Sequence, residues 1–168
     1  RDPGPVMALL LDDRVRCEVI LDGHHLDDEM VKMALKMKGT GGLMAVSDAM
    51  PLADMGVSSG VFCGQEVCSD GSSATLADGT LAGSVTLLPE ALRRTGEMLG
   101  LGFPELSAIG AANAAQDLGL PRRGLIQRDY RADLVIQGQQ GVEAVLRGGV
   151  PIKDPEGPRL PREVERIQ

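Results

Sequence analysis

The stretch Leu43-Met44-Ala45-Val46-Ser47-Asp48-Ala49-Met50 decides the fold, because a short apolar run ends there in a single carboxylate. Gly41 and Gly42 precede the run, and about four to eight apolar residues bounded by glycine indicate a strand buried on both faces. In barrels of parallel strands, residues at the carboxyl ends of the strands carry the chemistry. Asp48 is therefore a candidate general base or metal ligand. The alternative is that Asp48 only caps the following loop, since aspartate is a common turn residue.

The residues before this strand repeat an alternation of helix and strand. Val15 to Leu21 alternates apolar and polar residues as a strand does, and it runs into Asp22-Gly23-His24-His25-Leu26. A helix is predicted before that strand, over Pro3 to Leu11, and another after it, over Asp27 to Lys38. The order helix, strand, helix, strand is typical of a parallel α/β sheet.

The only two histidines of the chain, His24 and His25, are adjacent and follow the first of these strands. Neighbouring side chains of an extended segment point to opposite sides, so at most one of the two can face a site. Because parallel strands present their carboxyl ends at one rim, His25 and Asp48 are expected to be neighbours. A pair of loop histidines bonded to the backbone explains the same spacing equally well.

The rest of the chain is predicted to hold an antiparallel excursion, two helices and further strands. The excursion covers residues of about 61–77, where strand-like pieces flank a Ser-Asp-Gly-Ser-Ser turn. The predicted helices are Pro89 to Leu99 and Pro104 to Leu118, and strand character returns at 132–136 and 142–152. Residues 153–168 hold three prolines and many charges, which indicates a surface tail.

Composition and charge argue against several classes of protein. Aromatic residues make up only 2% of the chain and the net charge is -7, so neither base stacking nor phosphate-backbone contact with nucleic acid is expected. No apolar run reaches the roughly 20 residues of a membrane span, and no signal peptide opens the chain. An odd cysteine count in such a chain indicates reduced thiols and a cytoplasmic location. Because the chain opens on Arg1 and not on methionine, we expect a piece of a longer protein.

Five stretches follow, in order, the pattern of one family. They are Arg1-Asp2-Pro3-Gly4, Ile20-Leu21-Asp22-Gly23-His24-His25-Leu26, Met44-Ala45-Val46-Ser47-Asp48-Ala49-Met50, Leu76-Ala77-Asp78-Gly79-Thr80-Leu81-Ala82-Gly83-Ser84, and Gly124-Leu125-Ile126 with Arg131-Ala132-Asp133-Leu134-Val135. Over nearly its whole length the chain thus resembles the C-terminal part of the N-acetylglucosamine-6-phosphate deacetylase family, in the amidohydrolase superfamily. The Asp-Gly-x-His and Leu-Ala-Gly-Ser elements, with Asp48 between them, are specific. The Ala-Asp-Leu-Val element is shared by many amidohydrolases.

The resemblance implies an α/β fold, namely the C-terminal part of a (β/α)8 barrel of the TIM type with a small β-sandwich subdomain beside it. Residues 1–120 would belong to the barrel, including the antiparallel excursion, residues 121–152 would form strands of the small β subdomain, and residues 153–168 would be the tail. A whole barrel takes about 250 residues, so this chain would hold roughly its last three strands.

The implied reaction is metal-dependent hydrolysis of N-acetylglucosamine 6-phosphate to glucosamine 6-phosphate and acetate, in amino-sugar catabolism. Asp48 matches the catalytic carboxylate, which would deprotonate a metal-bound water and then protonate the leaving amine. His25 matches the residue that contacts the sugar and carbonyl region. Arg1 matches an arginine that grips the substrate phosphate, in the family often that of the neighbouring subunit of a homodimer. Leu81 to Ser84, with Leu81, Ala82 and Gly83 as contact residues, match a loop lining the sugar pocket.

The implied cofactor is a divalent metal ion, Zn or Fe. Asp48 can contribute to its binding, but the family's main ligands, a Glu and two His, are expected upstream of Arg1. The implied partners are an amino-sugar phosphate and a second copy of the chain, with no nucleic acid and no membrane. The family's usual Asn-Pro-Ala is Asn113-Ala114-Ala115 here.

Two other functions fit the same residues. One is an amidohydrolase acting on a cyclic amide, although Arg1 and the Leu81–Ser84 loop favour a sugar phosphate. The other is a non-catalytic, truncated barrel fragment that binds a partner or a sugar phosphate without turnover. An open barrel edge favours this second alternative, because exposed strands pair readily with other chains.

Overall fold

The computed structural model describes residues 4–138 and 141–152, so Arg1 and the predicted tail, residues 153–168, lie outside the described residues. The helices are α1 (Pro5–Leu11), α2 (Asp28–Lys38), α3 (Leu88–Leu99), α4 (Phe103–Ser107) and α5 (Asn113–Asp117), and α4 and α5 are joined by a π-helical segment, Ala108–Ala112. The strands are β1 (Cys17–Ile20), β2 (Leu43–Val46), β3 (Ser59–Phe62), β4 (Gln65–Ser69), β5 (Ser73–Leu76), β6 (Leu81–Ser84), β7 (Leu134–Gly138), β8 (Gly141–Arg147) and β9 (Val150–Pro151).

Strands β1 and β2 form a parallel pair, connected by α2. Their register aligns Val19 with Ala45, and both residues are buried, which gives the pair a dry face. Asp27 caps the connecting helix by accepting a hydrogen bond of 2.9 Å from the Glu29 N–H. This strand–helix–strand unit confirms the predicted α/β alternation. It brings the carboxyl ends of β1 and β2 side by side, where the candidate site residues follow.

The main hydrophobic core lies between this pair and the helices around it. Its buried residues come from α1, β1 and the residue after it, α2, β2, α3 and the π-helical segment, and they are Leu10, Val19, Leu21, Val31, Ala34, Leu43, Ala45, Ala91 and Ile109. The buried Asn113 side chain lies beside this core and donates two hydrogen bonds of 2.7 Å, to the carbonyls of Thr40 and Leu43. Asn113 therefore attaches α5 to the start of β2.

A four-stranded antiparallel sheet, in the order β3-β4-β5-β6, follows β2. It extends from Ser59 to Ser84 and is wider than the stretch of 61–77 expected from the sequence. The prediction of a loop at Leu81–Ser84 is wrong, because these residues form β6 and pair with β5. Beyond that pairing, Ser84 makes an isolated parallel bridge with Ala49. Contacts between distant parts of the chain thus make a strand of the segment for which the resemblance implied a loop.

The C-terminal part of the described chain is a three-stranded antiparallel sheet, β7-β8-β9. Strand character predicted at 142–152 is interrupted, because Gly148 and Gly149 adopt positive φ angles of 60° and 82° and turn the chain between β8 and β9. The three cysteines, Cys17, Cys63 and Cys68, are free. Among the described residues, no helix is both long and apolar enough to cross a bilayer.

Candidate active site

The loop after β1 presents Asp22 and His25. Gly23 makes the turn with a φ of +82°, and a Cβ atom at this position would lie 2.9 Å from the Arg94 guanidinium of α3. Arg94 in turn forms an ion pair of 2.6 Å with Asp28, at the start of α2. Only glycine fits this turn without strain, because its φ is in the left-handed region and the arginine occupies the space of a side chain. The guanidinium of Arg94, paired with Asp28, thus lies directly against the turn at Gly23.

Asp22 is a buried carboxylate whose side chain is only 2% exposed. Its Oδ1 accepts hydrogen bonds from the backbone N–H groups of His24 and His25, at 2.9 and 3.0 Å, and its Oδ2 lies 2.8 Å from Nδ1 of His25. Burial raises the pKa of Asp22, but these hydrogen bonds, with one from the Ser84 side chain, outweigh burial and lower the pKa to about 2. Asp22 is therefore ionised at neutral pH, and its Oδ2 lies within hydrogen-bond distance of the His25 imidazole.

Asp48 follows β2, and its half-exposed carboxylate faces the second nitrogen of the same imidazole. The distance from Nε2 of His25 to Oδ2 of Asp48 is 3.2 Å, and the Asp48 side chain is 50% exposed. Asp48 has a φ of +48°, which an aspartate adopts more readily than most residues. The prediction that the ends of β1 and β2 bring His25 and Asp48 together is thus confirmed. His24 is exposed, in agreement with the expectation that at most one histidine faces the site.

Strand β6 supports Asp48 from the other side. The Ser84 N–H donates a 2.9 Å hydrogen bond to the Asp48 carbonyl, and the Ser84 carbonyl accepts one of 2.7 Å from the Met50 N–H. Gly83, with a φ of +151°, leaves no room for a side chain: a Cβ atom would lie 2.7 Å from Cγ of Met50 and 3.1 Å from the Asp48 carbonyl oxygen. The backbone of Asp48 is therefore fixed by direct contact with β6.

This arrangement can hold and move a proton at the exposed end of the imidazole. Nε2 of His25 and the Asp48 carboxylate can form a hydrogen bond only when a proton lies between them. Asp48 is exposed enough to meet water or a ligand, whereas Asp22 is enclosed. The two carboxylates thus have different surroundings, and only Asp48 is exposed enough for proton transfer to a ligand or to water.

The described residues do not complete a metal site. Over residues 4–138 and 141–152, no group of three or more His, Cys, Asp or Glu side chains is close enough to hold an ion. Asp48 offers one accessible carboxylate, and the Nδ1 of its neighbour His25 is engaged by Asp22. A metal ion at Asp48 would therefore need further ligands from outside these residues.

The remaining predicted site residues are distributed differently. Gly83 lies against the Asp48 backbone, whereas Ala82 packs against a second hydrophobic cluster formed by Met50, Val67 and Ala74. Leu81 is half-buried in β6. Arg1 lies outside the described residues, so its predicted contact with phosphate is not tested.

Sequence reasoning placed Asp22 and Ser84 in the motifs of the family but assigned neither of them a role of its own at the site. The Asp22 side chain accepts hydrogen bonds from the backbone N–H groups two and three residues further along the chain, as in an Asx-turn. An aspartate followed by glycine is a sequence signal for such a turn. Ser84 is completely buried, and no local pattern connects it to Asp22 because it is far along the chain.

Comparison with known proteins identifies the family. No protein-family model matches the chain. An N-acetylglucosamine-6-phosphate deacetylase of Lysinibacillus sphaericus is 36% identical over 136 residues, which cover 81% of this chain and 35% of the relative. An N-acetylgalactosamine-6-phosphate deacetylase of Shewanella sp. (strain ANA-3) is 31% identical over 150 residues, with 89% and 38% covered. A shorter Escherichia coli (strain K12) relative with a name of the same deacetylase type is 32% identical, and the match covers 71% of both chains.

Solved structures give the same result. The N-acetylglucosamine-6-phosphate deacetylase of Thermotoga maritima superposes with a TM-score of 0.82 at 34% identity, over 88% of this chain and 41% of that chain. A mutant of the Mycobacterium smegmatis N-acetyl-D-glucosamine-6-phosphate deacetylase, in complex with N-acetyl-D-glucosamine-6-phosphate, gives a TM-score of 0.80 at 30% identity, with 89% and 40% covered.

All of these relatives and solved structures are named as deacetylases of amino-sugar phosphates. The chain belongs to the N-acetylglucosamine-6-phosphate deacetylase family, as its motifs indicated. It spans 35% of the length of the Lysinibacillus sphaericus relative and 41% of the Thermotoga maritima chain.

Proposed function

We propose that this chain is the Asp48-bearing part of a metal-dependent deacetylase that hydrolyses N-acetylglucosamine 6-phosphate to glucosamine 6-phosphate and acetate. The observation that carries the proposal is the 3.2 Å contact between Nε2 of His25 and Oδ2 of Asp48, at the adjacent ends of β1 and β2, in a chain of this family. The complete enzyme would be a (β/α)8 barrel with a small β-sandwich subdomain, of which this chain contributes the C-terminal part.

Asp48 would act as general base and then as general acid. Its half-exposed carboxylate takes a proton from the attacking water, and the same proton then passes to the leaving amine. His25, whose Nδ1 lies 2.8 Å from Asp22, directs Nε2 toward Asp48, and it would contact the carbonyl region of the substrate. A divalent metal ion, Zn or Fe, would supply Lewis-acid polarisation of the amide, with its main ligands outside the described residues.

Two parts of the chain would recognise the phosphorylated sugar, one binding the phosphate group and the other the sugar ring. Arg1 would bind the substrate phosphate through its guanidinium, whose paired N–H groups match phosphate oxygens, and would do so across a homodimer. Residues Leu81, Ala82 and Gly83 would line the sugar pocket, and of these Gly83 lies against Asp48. This assembly would act in amino-sugar catabolism in the cytoplasm.

N-acetylgalactosamine 6-phosphate is the second candidate substrate. The Shewanella relative carries this sugar in its name, and its identity to the chain is only five percentage points below that of the Lysinibacillus relative, 31% against 36%. The two substrates present the same N-acetyl and phosphate groups to Asp48 and Arg1, and they differ in the orientation of one hydroxyl group.

The test is acetate release by the protein expressed at the full length of its coding sequence. The substrates are N-acetylglucosamine 6-phosphate, N-acetylgalactosamine 6-phosphate, unphosphorylated N-acetylglucosamine and a cyclic amide. We expect turnover of a phosphorylated amino sugar and a loss of the preference for phosphate in Arg1→Ala. Turnover of the cyclic amide alone would move the assignment to another amidohydrolase. Absence of any turnover with divalent metal present would favour the non-catalytic fragment.

A further inference from the structure

Asp22 is a buried ionised group for which the proposed reaction has no chemical step. It does not face the open side of the site, since its side chain is 2% exposed and the imidazole of His25 lies between it and Asp48. A buried carboxylate is costly unless hydrogen bonds compensate it. The groups that donate hydrogen bonds to the Asp22 carboxylate therefore indicate its role.

We infer that Asp22 is a positioning residue for His25: it keeps a proton on Nδ1 of the imidazole and thereby turns Nε2 toward Asp48. The inference rests on the proposed function only for the use that the reaction makes of His25. The position of the proton is a property of the folded chain and can be measured without turnover.

The geometry leaves Asp22 one way to bind the ring. Its Oδ1 is occupied by two backbone donors, the N–H groups of His24 and His25 at 2.9 and 3.0 Å, which fix the orientation of the carboxylate. Its Oδ2 is then directed at Nδ1 of His25, at 2.8 Å. Because the carboxylate binds both the backbone and the ring of His25, it restrains the position and the rotation of that side chain together.

Ser84 completes the surroundings of Asp22. The Oγ atom of this completely buried serine accepts a 3.0 Å hydrogen bond from the Thr86 N–H, so its own hydrogen is free to be donated to Asp22. The backbone of the same residue binds the carbonyl of Asp48. Ser84 thus contacts Asp22 through its hydroxyl group and Asp48 through its backbone.

A purely structural aspartate elsewhere in the chain provides a matched control. Oδ1 of Asp70, in the turn between β4 and β5, accepts the backbone N–H groups of Ser72 and Ser73 at 2.9 Å each and the Ser72 hydroxyl at 2.8 Å. It makes the same kind of turn as Asp22 but is exposed and has no hydrogen bond to a histidine among the described residues. Asp70→Asn therefore removes a turn carboxylate without affecting His25.

The decisive substitution is Asp22→Asn, which keeps the shape of the side chain. The carboxamide oxygen of the variant would face the two backbone N–H groups, since its NH2 group cannot accept from them. The NH2 group would then face Nδ1 of His25 and force this nitrogen to act as acceptor, leaving the proton on Nε2. In the Ser-His-Asp triad the equivalent wrong tautomer lowers kcat roughly 10⁴-fold.

Protonation is read from long-range ¹H–¹⁵N NMR spectra of the full-length protein, with the His25 signals identified by their loss in His25→Gln. We expect Nδ1 to be protonated in the wild type and in Asp70→Asn, and unprotonated in Asp22→Asn. In acetate-release assays, Asp22→Asn should lower kcat/KM at least about 100-fold, whereas Asp70→Asn should keep the wild-type value, because only the first change disturbs the proton on His25.

Three results would overturn the inference: an unprotonated Nδ1 in the wild type, a protonated Nδ1 in Asp22→Asn, or an unchanged kcat/KM in Asp22→Asn. The wild-type spectrum decides the first of these even if Asp22→Asn does not fold. If the wild type releases no acetate, the proposed reaction fails, and the spectra still decide whether Asp22 positions His25.

Discussion

Gly83 lies in β6 directly beside Asp48, so a substitution at this position should both destabilise the fold and displace Asp48. In Gly83→Ala, the new Cβ atom would lie 2.7 Å from Cγ and 2.8 Å from Sδ of Met50, and 3.1 Å from the Asp48 carbonyl oxygen. The φ of +151° is also unfavourable for alanine. Both effects raise the free energy of the folded state only.

The loss in free energy of unfolding of Gly83→Ala has a backbone part and a packing part, and a second glycine of the chain allows the two to be measured separately. The left-handed backbone costs alanine about 1–2 kcal/mol, and overpacking a buried methionine costs about 1–3 kcal/mol more. Gly79, in the turn between β5 and β6, has a φ of +84° and nothing within 4 Å of its Cβ position. Gly79→Ala should therefore lose only the backbone part, and Gly83→Ala should be less stable than it by about 1–3 kcal/mol.

The assay is urea unfolding followed by far-UV circular dichroism, with acetate release measured on the same variants. Gly83→Ala should also lower kcat, since a displacement of about 1 Å at a reacting group can cost roughly 100-fold. Gly79→Ala should retain kcat. Equal free energies of unfolding for the two variants, within about 0.5 kcal/mol, would refute the predicted clash of a side chain at position 83 with Met50 and the Asp48 carbonyl.

Two further predictions concern buried hydrogen bonds. Asn113→Ala should lower the free energy of unfolding by about 2–4 kcal/mol, because the carbonyls of Thr40 and Leu43 lose their donors, and urea unfolding measures this loss; a loss below about 0.5 kcal/mol would contradict it. The pKa of Asp22 is lowered from 3.8 to about 2, so the unfolded state binds more protons in this range. Its contribution, about 2 kcal/mol, should be complete above pH ~4 and lost as the pH falls through ~2. The unfolding free energies of wild type and Asp22→Asn should converge over that range, and a constant difference would contradict the assignment.

The sequence was sufficient for the parts of the fold that follow from local pattern. The alternation around β1, α2 and β2 predicted the parallel pair, and the rule that parallel strands end at one rim predicted that His25 and Asp48 meet. Both follow from residues close in the chain, where the period of apolar residues and the capping residues determine the element.

The parts that sequence reasoning missed depend on distant contacts. Leu81–Ser84 is rich in small residues and was expected to be a loop, yet pairing with β5 and the bridge to Ala49 make it a strand. The same contact brings Ser84 to Asp22, which no spacing in the sequence shows. Asn113 binds the start of β2 across 70 residues of chain. The Gly148-Gly149 turn, in contrast, was detectable locally, because two consecutive glycines are typical of a turn. The strand-like residues on either side of it led to the prediction of one continuous strand.

The most direct test of the central claim is the turnover of Asp48→Asn in the full-length protein with N-acetylglucosamine 6-phosphate. Loss of the general base should lower kcat about 10²–10⁴-fold, while the affinity for the substrate, measured by calorimetry, stays close to that of the wild type. Undiminished kcat in Asp48→Asn would contradict the assignment of Asp48 as the group that transfers the proton.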